Sequence, residues 1–144
     1  MDIEKIKKDI SLIISECDLK PFSITYKKDD EKNVLEVIVD KVGFVDISDV
    51  EDVTNKINEY LDKEDPIEEE YSLEVLSRGL EKEFEFDDAY AYVGEWIEVK
   101  TMDQLYKGFL QESVSDAIII KNEKNKTIKI NANDIISLKI AVKF

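Results

Sequence analysis

The feature that most constrains the fold of this chain is a change in apolar periodicity within residues 71–84. From Tyr71 to Val75 every second residue is apolar, which predicts a strand with one buried face. Residues 77–79 carry no apolar pattern and end in a glycine, as expected of a linker. Helical and strand patterns precede this stretch, whereas short strand patterns follow it. We therefore predict an N-terminal α/β domain, a linker and a C-terminal domain, over residues 1–76, 77–86 and 87–144.

The first region is typical of an α-β-β-α-β domain. Apolar residues recur at every third or fourth position in its two helices and at every second position in its strands. The predicted elements are a helix over 2–17, strands over 22–26 and 35–39, a helix that starts at a capping box of Ser48 and Glu51, and a strand over 71–76. A right-handed crossover through the second helix makes the third strand parallel to the second. We expect the third strand beside the first, in a three-stranded sheet with both helices on one face.

The second region is typical of a small all-β domain, which makes the chain α+β as a whole. A single helical turn over 87–92 precedes five short strands, predicted over 96–100, 106–111, 117–121, 127–130 and 135–143. Five short strands with tight connections predict a small β-barrel of the SH3 or Sm-like kind. We expect Trp96 in the core, because Ile97 and Val99 beside it mark a buried strand.

Residues 65–84 contain runs that resemble the RimP family of ribosome maturation factors. The family's usual sequence is Asp-Pro-Ile, then a strand Leu-Glu-Val, then Ser-Ser-Pro-Gly-Leu-Asp-Arg-Pro-Leu. The corresponding residues are Asp65-Pro66-Ile67, Leu73-Glu74-Val75 and the run from Leu76 to Phe84, in which Ser77, Gly79 and Leu80 match while Glu81 and Lys82 keep the charges. Arg78 and Glu83 stand where the family has proline. We expect Arg78→Pro to narrow the conformations of the linker without disturbing either domain.

This resemblance implies a two-domain, non-enzymatic factor that is needed for maturation of the small (30S) ribosomal subunit and binds the immature subunit. We expect its partner-binding residues at the end of the strand and in the linker: Glu74, Ser77, Arg78, Gly79, Leu80, Glu81 and Lys82. A hairpin supplies a second candidate contact through Lys121, Lys124 and Lys126, followed by Lys129. These lysines suit phosphate contacts, and the alternative is a charged strand edge that resists aggregation.

Acidic residues are concentrated in the first region. The formal net charge is −14, of which residues 1–76 carry −12 and residues 77–144 carry −2. A negative field attracts basic proteins and repels phosphate backbones, and an acidic excess also keeps a small protein soluble. Together with the resemblance, this charge implies a basic small-subunit ribosomal protein as partner, with adjacent rRNA. We expect the factor itself to be a monomer.

The composition excludes several kinds of enzyme. With no histidine and one cysteine, the chain has no histidine base, no His metal site and no thiolate cluster. Its four glycines form neither a P-loop nor a dinucleotide-binding run. We expect no catalytic residue, cofactor or metal, although a carboxylate pair among the 34 acids stays open as an enzymatic alternative. No signal-peptide pattern or membrane-spanning apolar run occurs, so the cytoplasm is the expected compartment.

A further alternative is an RNA-binding module of KH-like plus Sm-like type that acts outside ribosome assembly. An α/β domain with an Sm-like barrel is able to contact RNA directly. However, the first region has no G-x-x-G loop, the chain has one arginine, and its net charge has the wrong sign for RNA. These observations favour the assembly factor.

Overall fold

The structure, a computed structural model, describes residues 1–28, 31–79 and 81–141. The chain forms two units, Met1–Arg78 and Gly79–Phe144, each with its own hydrophobic core. The predicted α+β class is confirmed, since a helix-strand-strand-helix-strand region is followed by a separate antiparallel sheet. The finer division into domains over 1–76 and 87–144 with a linker over 77–86 stays a prediction.

Both helices of the first unit pack on one face of a three-stranded sheet. The elements are α1 (Ile3–Glu16), β1 (Lys20–Lys28), β2 (Asn33–Asp40), α2 (Ile47–Glu64) and β3 (Ser72–Ser77). The buried side chains that join the helices to the central strand are Ile6, Ile10 and Ile14 of α1, Val53, Ile57 and Leu61 of α2, and Leu35, Val37 and Val39 of β2. Each such side chain contributes about 1.5–3 kcal/mol when it is fully buried. This apolar layer therefore holds the two helices on the sheet.

The strand order of the first unit is β1-β2-β3, with β2 in the centre. β3 runs parallel to β2, as predicted, with Leu73 opposite Leu35 and Val75 opposite Val37. The expected position of the third strand beside the first is wrong. Because the β1–β2 hairpin already occupies one edge of β2, a strand that returns parallel to β2 pairs along its free edge.

The start of α2 also differs from the prediction. The capping box consists of Asp46 and Asp49, because each carboxylate accepts a hydrogen bond from the other residue's backbone N–H, at 3.0 and 3.1 Å. The predicted pair of Ser48 and Glu51 is wrong, and Ile47 lies inside the helix with 78% of its surface exposed. The two aspartates have the same three-residue spacing as the predicted pair, and they cap the helix two residues earlier.

The second unit is a six-stranded antiparallel sheet. Its strands are β4 (Glu83–Phe84), β5 (Trp96–Thr101), β6 (Leu105–Ser113), β7 (Ala117–Lys121), β8 (Thr127–Asn131) and β9 (Ile135–Ile140), in the order β4-β9-β5-β6-β7-β8. A 3-10 helix at Phe86–Tyr92 precedes β5, as predicted. The five predicted strands are all present; β9 ends at Ile140, and residues 142 and 143 of the predicted last strand lie outside the described residues. The closed SH3 or Sm-like barrel stays a prediction.

Strand β4 was missed by sequence reasoning and lies within the predicted linker. It pairs with β9, and the ring of Phe84 lies 4.4 Å from the ring of Tyr92, centroid to centroid. Two residues cannot display a period, so the strand has no signature in the sequence. The second unit therefore begins before the end of the predicted linker.

Candidate partner-binding surfaces

The exposed side of α2 and the segment after it form an acidic surface. Residues 46–70 contain eleven Asp and Glu residues and two Lys residues, and all of these acids except the half-buried Asp49 are exposed. The acids face solvent because the apolar stripe of α2 faces the core. We call the exposed acids of residues 46–70 the acidic surface.

A groove of about 310 Å³ lies along this surface, between the end of α1 and α2. It is lined by Cys17, Asp49, Asp52, Asn55, Lys56 and Glu59. At one end, the Lys41 ammonium lies 2.7 Å from Asp49 Oδ2, and this hydrogen bond raises the pKa of Lys41. The Ser48 hydroxyl donates to Asp46 at 2.6 Å, which lowers the pKa of Asp46 together with the cap. The pair of Lys41 and Asp49 shows that a carboxylate at this end of the groove binds a cationic group.

Arg78, the residue that replaces the family's proline, is bound to the first unit. Its backbone N–H donates to the carbonyl of Val39 at 2.8 Å. Its guanidinium lies 3.4 Å from Asp40 Oδ2 and 4.6 Å from the ring centroid of Phe22. Proline has no N–H to donate. These contacts argue against the expectation that Arg78→Pro leaves both domains undisturbed.

The other residues predicted around Arg78 have different environments. Glu74 and Ser77 are exposed on β3, and Gly79 and Glu81 are exposed in the second unit, whereas Leu80 lies outside the described residues. Lys82 is only 5% exposed; its ammonium lies 5.5 Å from the Tyr92 ring centroid, and its carbonyl accepts from Ile140 N–H at 2.9 Å. The burial of Lys82 argues against a direct contact between this side chain and a partner.

The predicted lysine hairpin is present and well ordered by hydrogen bonds. Asn122 Oδ1 accepts from the backbone N–H groups of Lys124 and Lys126, both at 3.0 Å. Asn125 adopts a left-handed conformation with φ of 61°, which asparagine tolerates better than most residues. Lys124 and Lys126 are exposed, while Lys121 is half-buried at the end of β7. The turn therefore holds two exposed ammonium groups close to β6 and β7.

A cavity next to this turn was missed by sequence reasoning. It measures about 380 Å³ and is lined by Trp96, Leu105, Lys107, Asn122, Glu123 and Lys124. Trp96 is 7% exposed, as its predicted burial requires, but it lies on the sheet face opposite to Ile97 and Val99. The strict alternation of β5 already contained this information, because neighbouring residues of a strand point to opposite faces. We call this space the Trp96 cavity.

The largest pKa shifts belong to tyrosines that tie elements of the first unit together. The Tyr60 hydroxyl donates to Asp9 Oδ2 at 2.8 Å, joining α2 to α1, and burial followed by this bond raises the pKa of Tyr60. The Tyr26 hydroxyl donates to Glu69 at 2.8 Å, and burial followed by this bond raises the pKa of Tyr26 to about 12. Both shifts accompany structural hydrogen bonds between distant parts of the chain.

Metal and membrane sites can be assessed only for residues 1–28, 31–79 and 81–141. Within these ranges no three Cys, Asp or Glu side chains are arranged to hold a metal ion. No helix in the described part of the chain combines the length and the apolar character that crossing a bilayer requires.

Comparison with known families identifies one matching domain. The family model for the RimP N-terminal domain matches residues 9–81, which is half of the chain. The matched segment contains most of α1, the whole three-stranded sheet and α2. It also contains Arg78 and the residues around it.

Proposed function

Because the chain belongs to the RimP family of ribosome maturation factors, we propose that it is a non-enzymatic assembly factor that binds the immature small (30S) ribosomal subunit in the cytoplasm. The observation that carries this proposal is the family match over residues 9–81. The acidic charge of the first unit and the lysine turn of the second support it, since ribosomal particles present both basic proteins and phosphate.

The acidic surface is the proposed contact for a basic small-subunit ribosomal protein. In the described residues, Lys41 pairs with Asp49 and Lys28 pairs with Glu69, at 2.7 and 3.3 Å. The charge of the remaining acids far exceeds what these two lysines and the two lysines of residues 46–70 balance. A basic partner that approaches α2 gains from this field, mainly through its rate of association.

Two smaller contacts complete the proposal. The exposed strand end and the following residues, Glu74, Ser77, Gly79 and Glu81, supply polar groups to the same protein partner. Lys121, Lys124 and Lys126 contact phosphates of adjacent rRNA, because the turn presents them together and the turn itself is held by Asn122.

Sedimentation with purified small subunits tests the proposal. The tagged chain is expected to co-migrate with free small subunits and not with 70S particles. Binding is expected to weaken steeply from low to physiological salt, because the screening length falls to about 8 Å. Tight binding to unrelated free RNA, with no preference for small subunits, would instead support an RNA-binding module that acts outside assembly.

A pair of matched variants tests the acidic surface. Asp52→Asn with Glu59→Gln removes two charges from the groove, and Glu95→Gln with Asp103→Asn removes two exposed charges from the second unit. The first variant is expected to weaken binding to small subunits several-fold at low salt, while the second leaves it nearly unchanged. Equal weakening by both would show that only the total charge matters and would contradict a contact at α2.

A further inference from the structure

The Trp96 cavity combines an apolar wall with cationic groups. Leu105, which is 52% exposed, and Trp96, which is 7% exposed, supply the apolar part of the lining. The ring centroid of Trp96 lies 5.0 Å from that of Phe109, in an edge-to-face arrangement. This pair lies on the face of the sheet away from the core of the second unit. Trp96 lines the cavity, and its packing against Phe109 gives the cavity a fixed apolar floor.

Lysines surround this floor. Lys107 and Lys124 line the cavity, and the sheet register places Lys121 directly opposite Phe109. The Lys107 ammonium lies 3.7 Å from Glu98 but keeps 54% of its side chain exposed. Glu123 is the one acid that lines the cavity. Two lysines and one carboxylate line the cavity, and Lys121 and Glu98 lie next to it, so this place carries a small positive excess on an acidic protein.

The backbone around the cavity is built for a close approach of strands. A Cβ atom added at Gly108 would lie 2.8 Å from the carbonyl oxygen of Lys121, so β6 and the end of β7 come together only because residue 108 is glycine. This approach brings the turn that carries Lys124 beside Leu105 and Lys107. The shape of the cavity is therefore determined by the packing of the backbone at Gly108 and not by the conformations of flexible side chains.

We propose that the Trp96 cavity receives one unpaired base of single-stranded RNA, with Lys107, Lys121 and Lys124 contacting the neighbouring phosphates. A volume of about 380 Å³ suits a single nucleotide, since it lies near the lower limit of small-molecule sites. Aromatic or apolar surface for the base, combined with cations for the backbone, is the usual arrangement in proteins that bind single strands. The identification of this RNA as an unpaired segment of immature rRNA rests on the proposed function.

An acidic peptide is the competing occupant, and two observations favour RNA. Carboxylate side chains would use the lysines but would leave the wall of Leu105 and Trp96 uncovered, whereas a base covers it. Lys126, exposed in the same turn as Lys124, lies outside the residues that line the cavity and adds a cation for a phosphate next to a bound base.

The test uses Trp96 as its own reporter, because it is the one tryptophan of the chain. The full chain is titrated with an unstructured oligouridine octamer at low salt, and the Trp96 fluorescence and the indole N–H signal in NMR spectra are followed. Both signals are expected to change and to saturate. Leu105→Asp is expected to weaken this binding by at least roughly fivefold, the lower limit for loss of one stacked base.

Charge variants separate the cavity from general electrostatics. Lys107→Gln and Lys124→Gln are each expected to weaken oligouridine binding. Each is also expected to make the slope of log K against log salt concentration shallower, by roughly the amount that corresponds to one phosphate contact. Glu123→Gln is expected to strengthen binding, since it removes the opposing carboxylate. Lys8→Gln, at an exposed site of α1, removes the same charge as the lysine variants and is expected to change nothing.

Three outcomes would overturn the inference. Equal binding of duplex RNA would show that no base enters the cavity, and stronger binding of an oligoglutamate peptide would identify an acidic protein as the occupant. An unchanged Trp96 signal would show that RNA does not reach the cavity. If that signal stays unchanged while the chain still sediments with small subunits, the proposed function stands without this contact. If the signal stays unchanged and the chain also fails to sediment with small subunits, both the proposed function and the RNA contact are contradicted.

Discussion

At the scale of single residues, Arg78 restricts the chain at a position where the resemblance to the RimP family places proline. Proline restricts the chain through its ring, whereas Arg78 restricts it through three contacts, to Val39, Asp40 and Phe22. These contacts belong to the native state and are absent from the unfolded chain. The restriction at Arg78 therefore depends on the fold of the first unit.

We predict that Arg78→Pro destabilises the end of β3 more than Arg78→Ala does. Alanine loses the partly exposed ion pair and the contact with Phe22, together worth about 0.5–1 kcal/mol. Proline also loses the hydrogen bond to Val39, worth about 0.5–1.5 kcal/mol more. Hydrogen exchange of the β2 and β3 amides measures the difference. Equal protection in the two variants would show that the backbone bond contributes nothing.

The burial of Tyr60 and its hydrogen bond to Asp9 raise the pKa of Tyr60 and so make the free energy of unfolding depend on pH in the alkaline range. The contribution of Tyr60 is fully present below pH 10, the ordinary pKa of tyrosine, because Tyr60 is then protonated in both states. Above pH 10 the unfolded chain loses its proton first, so the folded state loses stability as pH rises. We expect Tyr60→Phe to cost about 1 kcal/mol at pH 8 and to flatten the decline above pH 10.

Urea denaturation followed by far-UV circular dichroism at several pH values measures this effect. Tyr90→Phe is the control, because Tyr90 is 67% exposed and removal of its hydroxyl is expected to leave the pH dependence unchanged. An equally steep alkaline decline in Tyr60→Phe would assign the pH dependence to other groups.

At the scale of elements, single side chains determine where a helix begins and how closely two strands approach. Two carboxylates at the start of α2 cap the helix, while the Ser48 hydroxyl donates to one of them instead of acting as the cap. In the second unit, the approach of β6 to β7 depends on the missing side chain of Gly108. In both cases one or two atoms determine the limits or the path of an element.

We predict that Gly108→Ala destabilises the second unit by about 1–3 kcal/mol, the usual cost of overpacking. The added Cβ would meet backbone atoms of Lys121 at 2.8 and 3.0 Å, and backbone atoms cannot move aside as a flexible side chain does. Urea unfolding followed by Trp96 fluorescence measures the loss.

The matched control is Gly79→Ala, because a Cβ at Gly79 has no neighbour within 4 Å among the described residues. This variant is expected to unfold as the natural sequence does. If Gly108→Ala also proved neutral, β6 and β7 would have enough freedom to separate, and their close approach would contribute little to the stability of the second unit.

At the scale of the whole molecule, the chain consists of two units with separate cores and different charge. The acidic residues of the first unit and the lysine turn of the second suit different partners, a basic protein and a phosphate backbone. The two units are consecutive in the chain, with their boundary at Arg78 and Gly79. The proposed function assigns each unit its own partner on one ribosomal particle.

We predict that limited trypsin digestion cuts first after Arg78 and not after Lys82. The Arg78–Gly79 peptide bond becomes accessible to trypsin when only the end of β3 separates from β2, and Gly79 is already exposed. The bond after Lys82 is protected, because the carbonyl of Lys82 accepts from Ile140 and the next residue begins β4. Mass spectrometry of early fragments identifies the cut, and Arg78→Gln is expected to abolish it.

Early cleavage after Lys82 would contradict the burial of that residue. Early cleavage at Lys124 or Lys126 would show that the turn capped by Asn122 opens before the boundary does. Either result would place the least stable part of the chain within the second unit.

The sequence by itself determined the order and the type of nearly all elements. Apolar residues at helical spacing in α1 and α2, and at alternate positions in the strands, are local signals, because the periods of 3.6 and 2 residues follow from backbone geometry. The charge division between the units is also a property of the sequence, as is the run around Ser77 and Gly79 that resembles the RimP family. None of these features depends on which distant residues meet.

Only the tertiary structure decided how the elements pair and which predicted site residues face solvent. The position of β3 beside β2 depends on which strand edge is free, and the burial of Lys82 depends on the pairing of β4 with β9. The ion pair of Arg78 and the Trp96 cavity likewise join residues that are distant in sequence. Periodicity specifies which face a residue occupies but not what lies opposite that face, and contacts between distant residues form only when the whole unit is folded.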